Sequence, residues 1–115
     1  IKNAKLRDAV LYIESRFDES VTLPDIAKAA GMNHTTLTAL MKEELGLTAI
    51  EYLMKYRITV AKKQLEFTSV PIKDIANMTG FKTVQHFSRV FKSHTGTTPA
   101  EFRKNTVQKR KDDFK

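Results

Sequence analysis

Two segments of this chain repeat one pattern, and a repeated supersecondary unit implies two related lobes rather than one irregular core. Ile72-Lys73-Asp74-Ile75-Ala76 followed by Gly80 restates Leu23-Pro24-Asp25-Ile26-Ala27 followed by Gly31, at a register of 49 residues. Beyond the turn the register becomes 50. Leu37, Leu40, Met41, Lys42, Gly46, Thr48 and Glu51 pair with Phe87, Val90, Phe91, Lys92, Gly96, Thr98 and Glu101. One additional residue therefore lies between Gly80 and Phe87.

The periodicity within and between the copies is helical. Leu6, Val10, Ile13 and Phe17 recur at spacings of four and three, one apolar stripe on a first helix. Thr22 is placed to cap a second helix that turns Ile26, Ala27 and Ala30 inward, with Asp25 as the acidic partner of a capping box. Gly31 ends it. A third helix over 35–44 buries Leu37, Leu40 and Met41, and Gly46 punctuates again. A longer helix over 48–67 follows, with Leu53, Val60, Ala61 and Leu65 inward, and Ser69 and Pro71 open the second copy. No stretch alternates at period two, so the chain is predicted to be all-α, with about seven helices. Within a single domain over 1–115, the expected parts are a first lobe (6–47), a linker helix (48–67), a second lobe (68–106) and a basic, frayed tail (107–115).

Each copy reads as a helix-turn-helix. A short helix carries a small residue, Ala27 or Ala76, where a second helix must cross closely, and a glycine follows where the chain turns sharply. The next helix is apolar on one side only. At 100° per residue Phe87, Val90 and Phe91 share a face, while Gln85, Ser88, Arg89 and Lys92 fall opposite. In the first copy Leu37, Leu40 and Met41 face inward, and Thr35, Thr38, Ala39 and Lys42 face out. A helix half anchored and half presented fits a DNA major groove about 12 Å wide. Arg89 has the donor fork for guanine and Gln85 the amide for adenine, with Val84 and His86 flanking them; Val84 suits a thymine methyl. Thr22, Lys42, Lys82, Thr83, Ser88, Lys92 and Thr98 suit phosphates, which position a protein without reading sequence. A linker of about 20 residues is roughly 30 Å long, close to one turn of B-DNA at about 34 Å. That length suits two recognition helices in successive major grooves of a site without two-fold symmetry.

Charge agrees with a polyanionic partner: the formal net charge is +7, and Lys109-Arg110-Lys111 adds a basic run in the tail. The absence of cysteine removes disulfides, thiolate metal sites and a cysteine nucleophile. No apolar run approaches the roughly 18 residues of a membrane span, and 1–6 lacks the shape of a signal peptide. The missing initial Met suggests a fragment of a longer protein. An enzyme is not expected, nor a cofactor or metal: His34, His86 and His94 are scattered, and no carboxylate pair or phosphate loop stands out. His94 falls on the apolar face of its helix and reads as a core or capping residue. The competing reading is a helical protein-interaction module with only non-specific nucleic-acid binding.

The second copy closely resembles the signature of the AraC/XylS family of bacterial transcription regulators. The resemblance rests on Ile72 to Ala76, Thr79-Gly80-Phe81, Phe87 to Lys92 and Gly96 to Arg103, while the first copy and Tyr56-Arg57 follow its weaker part. It implies a seven-helix, two-lobed module that binds double-stranded DNA in the bacterial cytoplasm, at the nucleoid, and usually activates transcription by contacting RNA polymerase. By position, its base-contacting places fall on Thr35, Thr38 and Ala39, and on Val84, Gln85, His86 and Arg89; Arg57 takes a structural role tying the linker to a lobe. In many members the module follows a ligand-binding or dimerising domain, so the isolated module is expected to be a monomer and the whole protein a dimer. Two departures matter. The first recognition helix offers threonines and Ala39 where many relatives carry longer side chains, leaving hydroxyls, methyl contacts or DNA shape for readout. Lys82-Thr83 replaces the acidic start often seen in the second turn and adds a phosphate contact.

Overall fold

The computed structural model describes residues 1–114. Its elements are seven α-helices: α1 (Ala4–Arg16), α2 (Leu23–Ala30), α3 (His34–Leu45), α4 (Ala49–Phe67), α5 (Ile72–Met78), α6 (Val84–Thr95) and α7 (Pro99–Asp113). The described residues contain no strand, and none of their helices is long and apolar enough to cross a membrane.

The chain divides into two compact units, Ile1–Tyr56 and Arg57–Lys115. The boundary falls inside α4, the helix expected over 48–67. Ala49 and Leu53 belong to the first core; Ile58, Ala61 and Leu65 are buried in the second unit. Val60 and Leu40, both expected inward, are only half-buried.

In the first unit the stripe of α1 buries Leu6, Ala9 and Ile13 against Ile26 and Ala27 of α2 and Leu37 and Met41 of α3. Tyr52 Oη donates to Glu14 Oε2 at 2.6 Å. Burial, then the Glu14 carboxylate, raises that phenol above its ordinary pKa. The edge of Phe17 meets Tyr56, ring centroids 5.3 Å apart.

The predicted capping box is present on α2. Thr22 Oγ1 accepts from Asp25 N–H, and Asp25 Oδ2 accepts from Thr22 N–H. The two helix-turn-helix turns are built alike. Gly31 and Gly80 have φ of 66° and 90°, a region open to glycine at no steric cost. Met32 N–H bonds Ala27 C=O and Phe81 N–H bonds Ala76 C=O, each at 3.0 Å, the six-to-one bond of a Schellman cap. In the second unit Thr79 stands where the first has Ala30; it is buried, and its hydroxyl donates to Ile75 C=O at 2.7 Å.

The expected frayed tail is a correction. α7 continues through 107 to Asp113. Gln, Lys and Arg there are good helix formers, and the helix has something to hold: Arg110 donates to the Glu66 carbonyl and lies 5.0 Å from the centre of the Phe67 ring. Arg103 donates to Leu65 C=O and Thr68 C=O, each at 3.2 Å. α4 has no basic residue in its own last turn, so two arginines of α7 satisfy the carbonyls that its end exposes.

Candidate nucleic-acid interface

The roll of α6 about its axis is set by a chain of rings. Phe87 and Phe91 are fully buried. Phe81 lies 5.2 Å from Phe87, Phe87 5.7 Å from Phe91, and Phe91 5.4 Å from Phe102, centroid to centroid. Thr83 starts the helix by accepting from His86 N–H at 3.0 Å, and Gly96 stops it with φ of 83°. With this face locked inward, Gln85, Arg89 and Lys92 are exposed, while Val84 and Ser88 are half-buried at the margins.

His86 is placed differently from its neighbours. It is half-buried, and its ring meets Phe81 edge-on at 5.4 Å and 80°. The Arg57 guanidinium lies 5.5 Å from the same Phe81 ring. Arg57 is itself buried, at 5% exposure, and the ring offers its cation a face in place of water. His86 thus helps hold the first turn of α6, whereas Gln85 and Arg89 are presented. His94, expected on the apolar face, is exposed. It lies in the final turn, where Thr95 takes the inward place and donates to Phe91 C=O at 2.9 Å.

The extra residue of the second copy is Lys82. Met32 and Phe81 still match at 49, but the caps Asn33 and Thr83 match at 50. Lys82 and Thr83 are exposed, beside an open groove of about 390 Å3 between α5 and the start of α6, lined also by Lys73, Asn77 and Phe81. Thr22, Thr83 and Thr98 all use the hydroxyl oxygen to accept from a helix N–H. Each keeps its own proton to donate, so a capping threonine can also meet a phosphate.

In the first unit Asn33 caps α3, accepting from Thr36 N–H at 2.8 Å, and Gly46 ends it with φ of 72°. Leu37 and Met41 are fully buried; Thr35, Thr38, Ala39 and Lys42 are exposed. His34 is exposed beside them and occupies the place of Val84. The 50-residue register pairs it with Val84, an equivalence the sequence reading of the site left unused. Lys42 Nζ lies 3.3 Å from Glu51 Oε1. Among the described residues Lys92 has no such carboxylate partner, so the two equivalent lysines are not equivalent electrostatically. The described residues also hold no group of three His, Cys, Asp or Glu able to bind a metal ion.

Residues 26–105 match the family described as "Helix-turn-helix domain". The chain is 35% identical over 102 residues to the probable transcription factor PqrA of Proteus vulgaris, covering 87% of this chain and 84% of that protein. It is 35% identical over 99 residues to the uncharacterised HTH-type transcriptional regulator YtdP of Bacillus subtilis, where 85% of this chain spans only 13% of the relative. A crystal structure of a transcriptional regulator with an AraC-type DNA-binding domain, from Chromobacterium violaceum, superposes with a TM-score of 0.83 at 33% identity, covering 90% of this chain and 93% of that one. The repeated turns, the two half-buried helices with their exposed polar faces and these likenesses agree: the chain belongs to the AraC/XylS family and is a DNA-binding module of transcription regulators.

Proposed function

We propose that this module recognises a site of roughly two successive major grooves, with α6 reading bases through Gln85 and Arg89 and α3 extending the footprint. The observation that carries this reading is the burial pattern of α6: Phe87 and Phe91 wholly inside, Gln85, Arg89 and Lys92 exposed. Charge supports the same division of labour. Ile1–Tyr56 holds 7 Lys and Arg against 8 Asp and Glu, a net of −1; Arg57–Lys115 holds 13 against 5, a net of +8. The second unit therefore supplies the electrostatic attraction to the duplex, and the first adds reach at little charge.

Thr35, Thr38 and Ala39 take the base-facing places of α3, and Val84 and His86 flank the readers of α6. Ser88, Lys82, Thr83, Lys92 and Thr98 contact phosphates in the second half of the site, Thr22 and Lys42 in the first. The isolated module binds as a monomer, since its two recognition helices differ in sequence and ask for no symmetric site. The parent protein activates transcription through contact with RNA polymerase; in-vitro transcription with purified polymerase checks that step.

Site selection followed by alanine substitution tests the readout. Arg89→Ala is expected to weaken binding by about 1–3 kcal/mol and relax preference at one base pair, whereas Lys92→Ala weakens all sequences alike. Unchanged preference in both Arg89→Ala and Gln85→Ala overturns the assignment of α6. A symmetric palindrome bound only by a dimer overturns the monomeric reading.

A further inference from the structure

The start of α3 presents an open surface lined mostly by small side chains. His34, Thr35, Thr38 and Ala39 line an open concavity of about 460 Å3. At 100° per residue these four positions span about 140° of the helix circumference. The hollow exists because Ala39 stands where the register places Arg89 on α6. A methyl group leaves open the volume that a guanidinium and its stem would fill. The lining carries three chemistries: the Ala39 methyl with one methyl from each threonine, two threonine hydroxyls, and the His34 imidazole at one edge. Neither the Thr35 nor the Thr38 hydroxyl bonds another described residue, so both can donate to a ligand.

We infer that this hollow takes the edge of a thymine, its C5-methyl against Ala39 and its O4 accepting from a threonine hydroxyl. Of the four bases only thymine presents a major-groove acceptor beside a methyl group. Guanine presents two acceptors suited to a donor fork, which Ala39 lacks; adenine and cytosine present an amino group and no methyl. The inference rests on α3 entering a major groove, and it adds which base that helix selects.

The test begins with a site obtained by in-vitro selection. Each thymine is then replaced singly by 2′-deoxyuridine, which keeps O4 and the pairing but lacks the methyl. Losing one buried methyl contact corresponds to about fourfold weaker binding, converted from about 0.8 kcal/mol. At least one replacement should show that loss. Ala39→Arg fills the hollow and should abolish the sensitivity at that position, while thymines met by Val84 on the other lobe keep theirs. Arginine at this exposed helical position is a good helix former, and circular dichroism checks that the variant is folded. A wild-type chain indifferent to deoxyuridine throughout, or a sensitivity that Ala39→Arg leaves intact, overturns the inference while sequence-specific binding stands. If selection enriches no sequence, the reading of α3 as a groove helix fails, and the thymine assignment fails with it.

Discussion

Lys42 and Lys92 occupy equivalent places in the repeat, yet they should differ in how they make DNA binding depend on salt. Lys42 is paired with Glu51 at 3.3 Å, and Glu51 is held where it is. Its Oε1 accepts from Thr48 N–H at 2.8 Å, and its own N–H donates to Thr48 Oγ1 at 3.1 Å. Those bonds, followed by Lys42, keep its carboxyl below the ordinary pKa, so it stays ionised near neutral pH. An exposed ion pair opens readily, but the anchored carboxylate stays beside any phosphate that Lys42 reaches and offsets the attraction. Among the described residues Lys92 is paired with no carboxylate. Each fully neutralised phosphate contributes about −0.9 to the slope of log Kobs against log salt, or roughly 3.5-fold in affinity between 50 and 200 mM. Lys92→Gln is therefore expected to flatten the slope by about 0.9, and Lys42→Gln by less than about half of that. Glu51→Gln retains a residue able to complete the capping box and frees Lys42, so it should steepen the slope beyond wild type. Fluorescence anisotropy of a labelled duplex at five salt concentrations measures all four proteins. Equal flattening by the two lysine variants, or no change on Glu51→Gln, refutes the reasoning.

Acid should unfold the module partly through its caps. Hydrogen bonds with Thr22 lower the pKa of Asp25, and those with Thr48 lower that of Glu51. Their stabilisation is complete above the ordinary carboxylate range and is lost as pH falls through the lowered folded values. Thermal melts between pH 7 and 2 should show a shallower acid limb in the Asp25→Asn, Glu51→Gln double variant; an identical limb counts against the caps. Phe87→Ala should destabilise by about 3–5 kcal/mol in urea titration, because the ring is fully buried in the ring chain that orients α6. Arg103→Met keeps the stem but strips the donors from Leu65 C=O and Thr68 C=O. A loss of about 1–2 kcal/mol is expected, with Arg103→Lys recovering only part of it, since an ammonium lacks the planar fork. Full recovery by lysine would show that charge alone suffices.

The repeat determined the architecture before any coordinate. Leu23 to Gly31 against Ile72 to Gly80 imposed two like turns, and both formed with the same glycine geometry and the same six-to-one bond. The stripes of α1, α3 and α6 were legible for the same reason: which side of a helix is apolar is a local property, carried by spacings of three and four. The outward places of Gln85, Arg89, Thr35 and Thr38 came with them. Partnership across the chain was not legible, because it depends on where distant backbone arrives. Arg103 meets the Leu65 carbonyl 38 positions away, and Arg110 meets that of Glu66 44 positions away; a basic run has no periodicity that marks it as a cap rather than a solvated tail. Likewise only packing turned His86 onto Phe81, left His94 in water and paired Lys42 with Glu51. Helix faces are written in the spacing of residues, but the neighbours those faces meet are decided when the chain closes on itself.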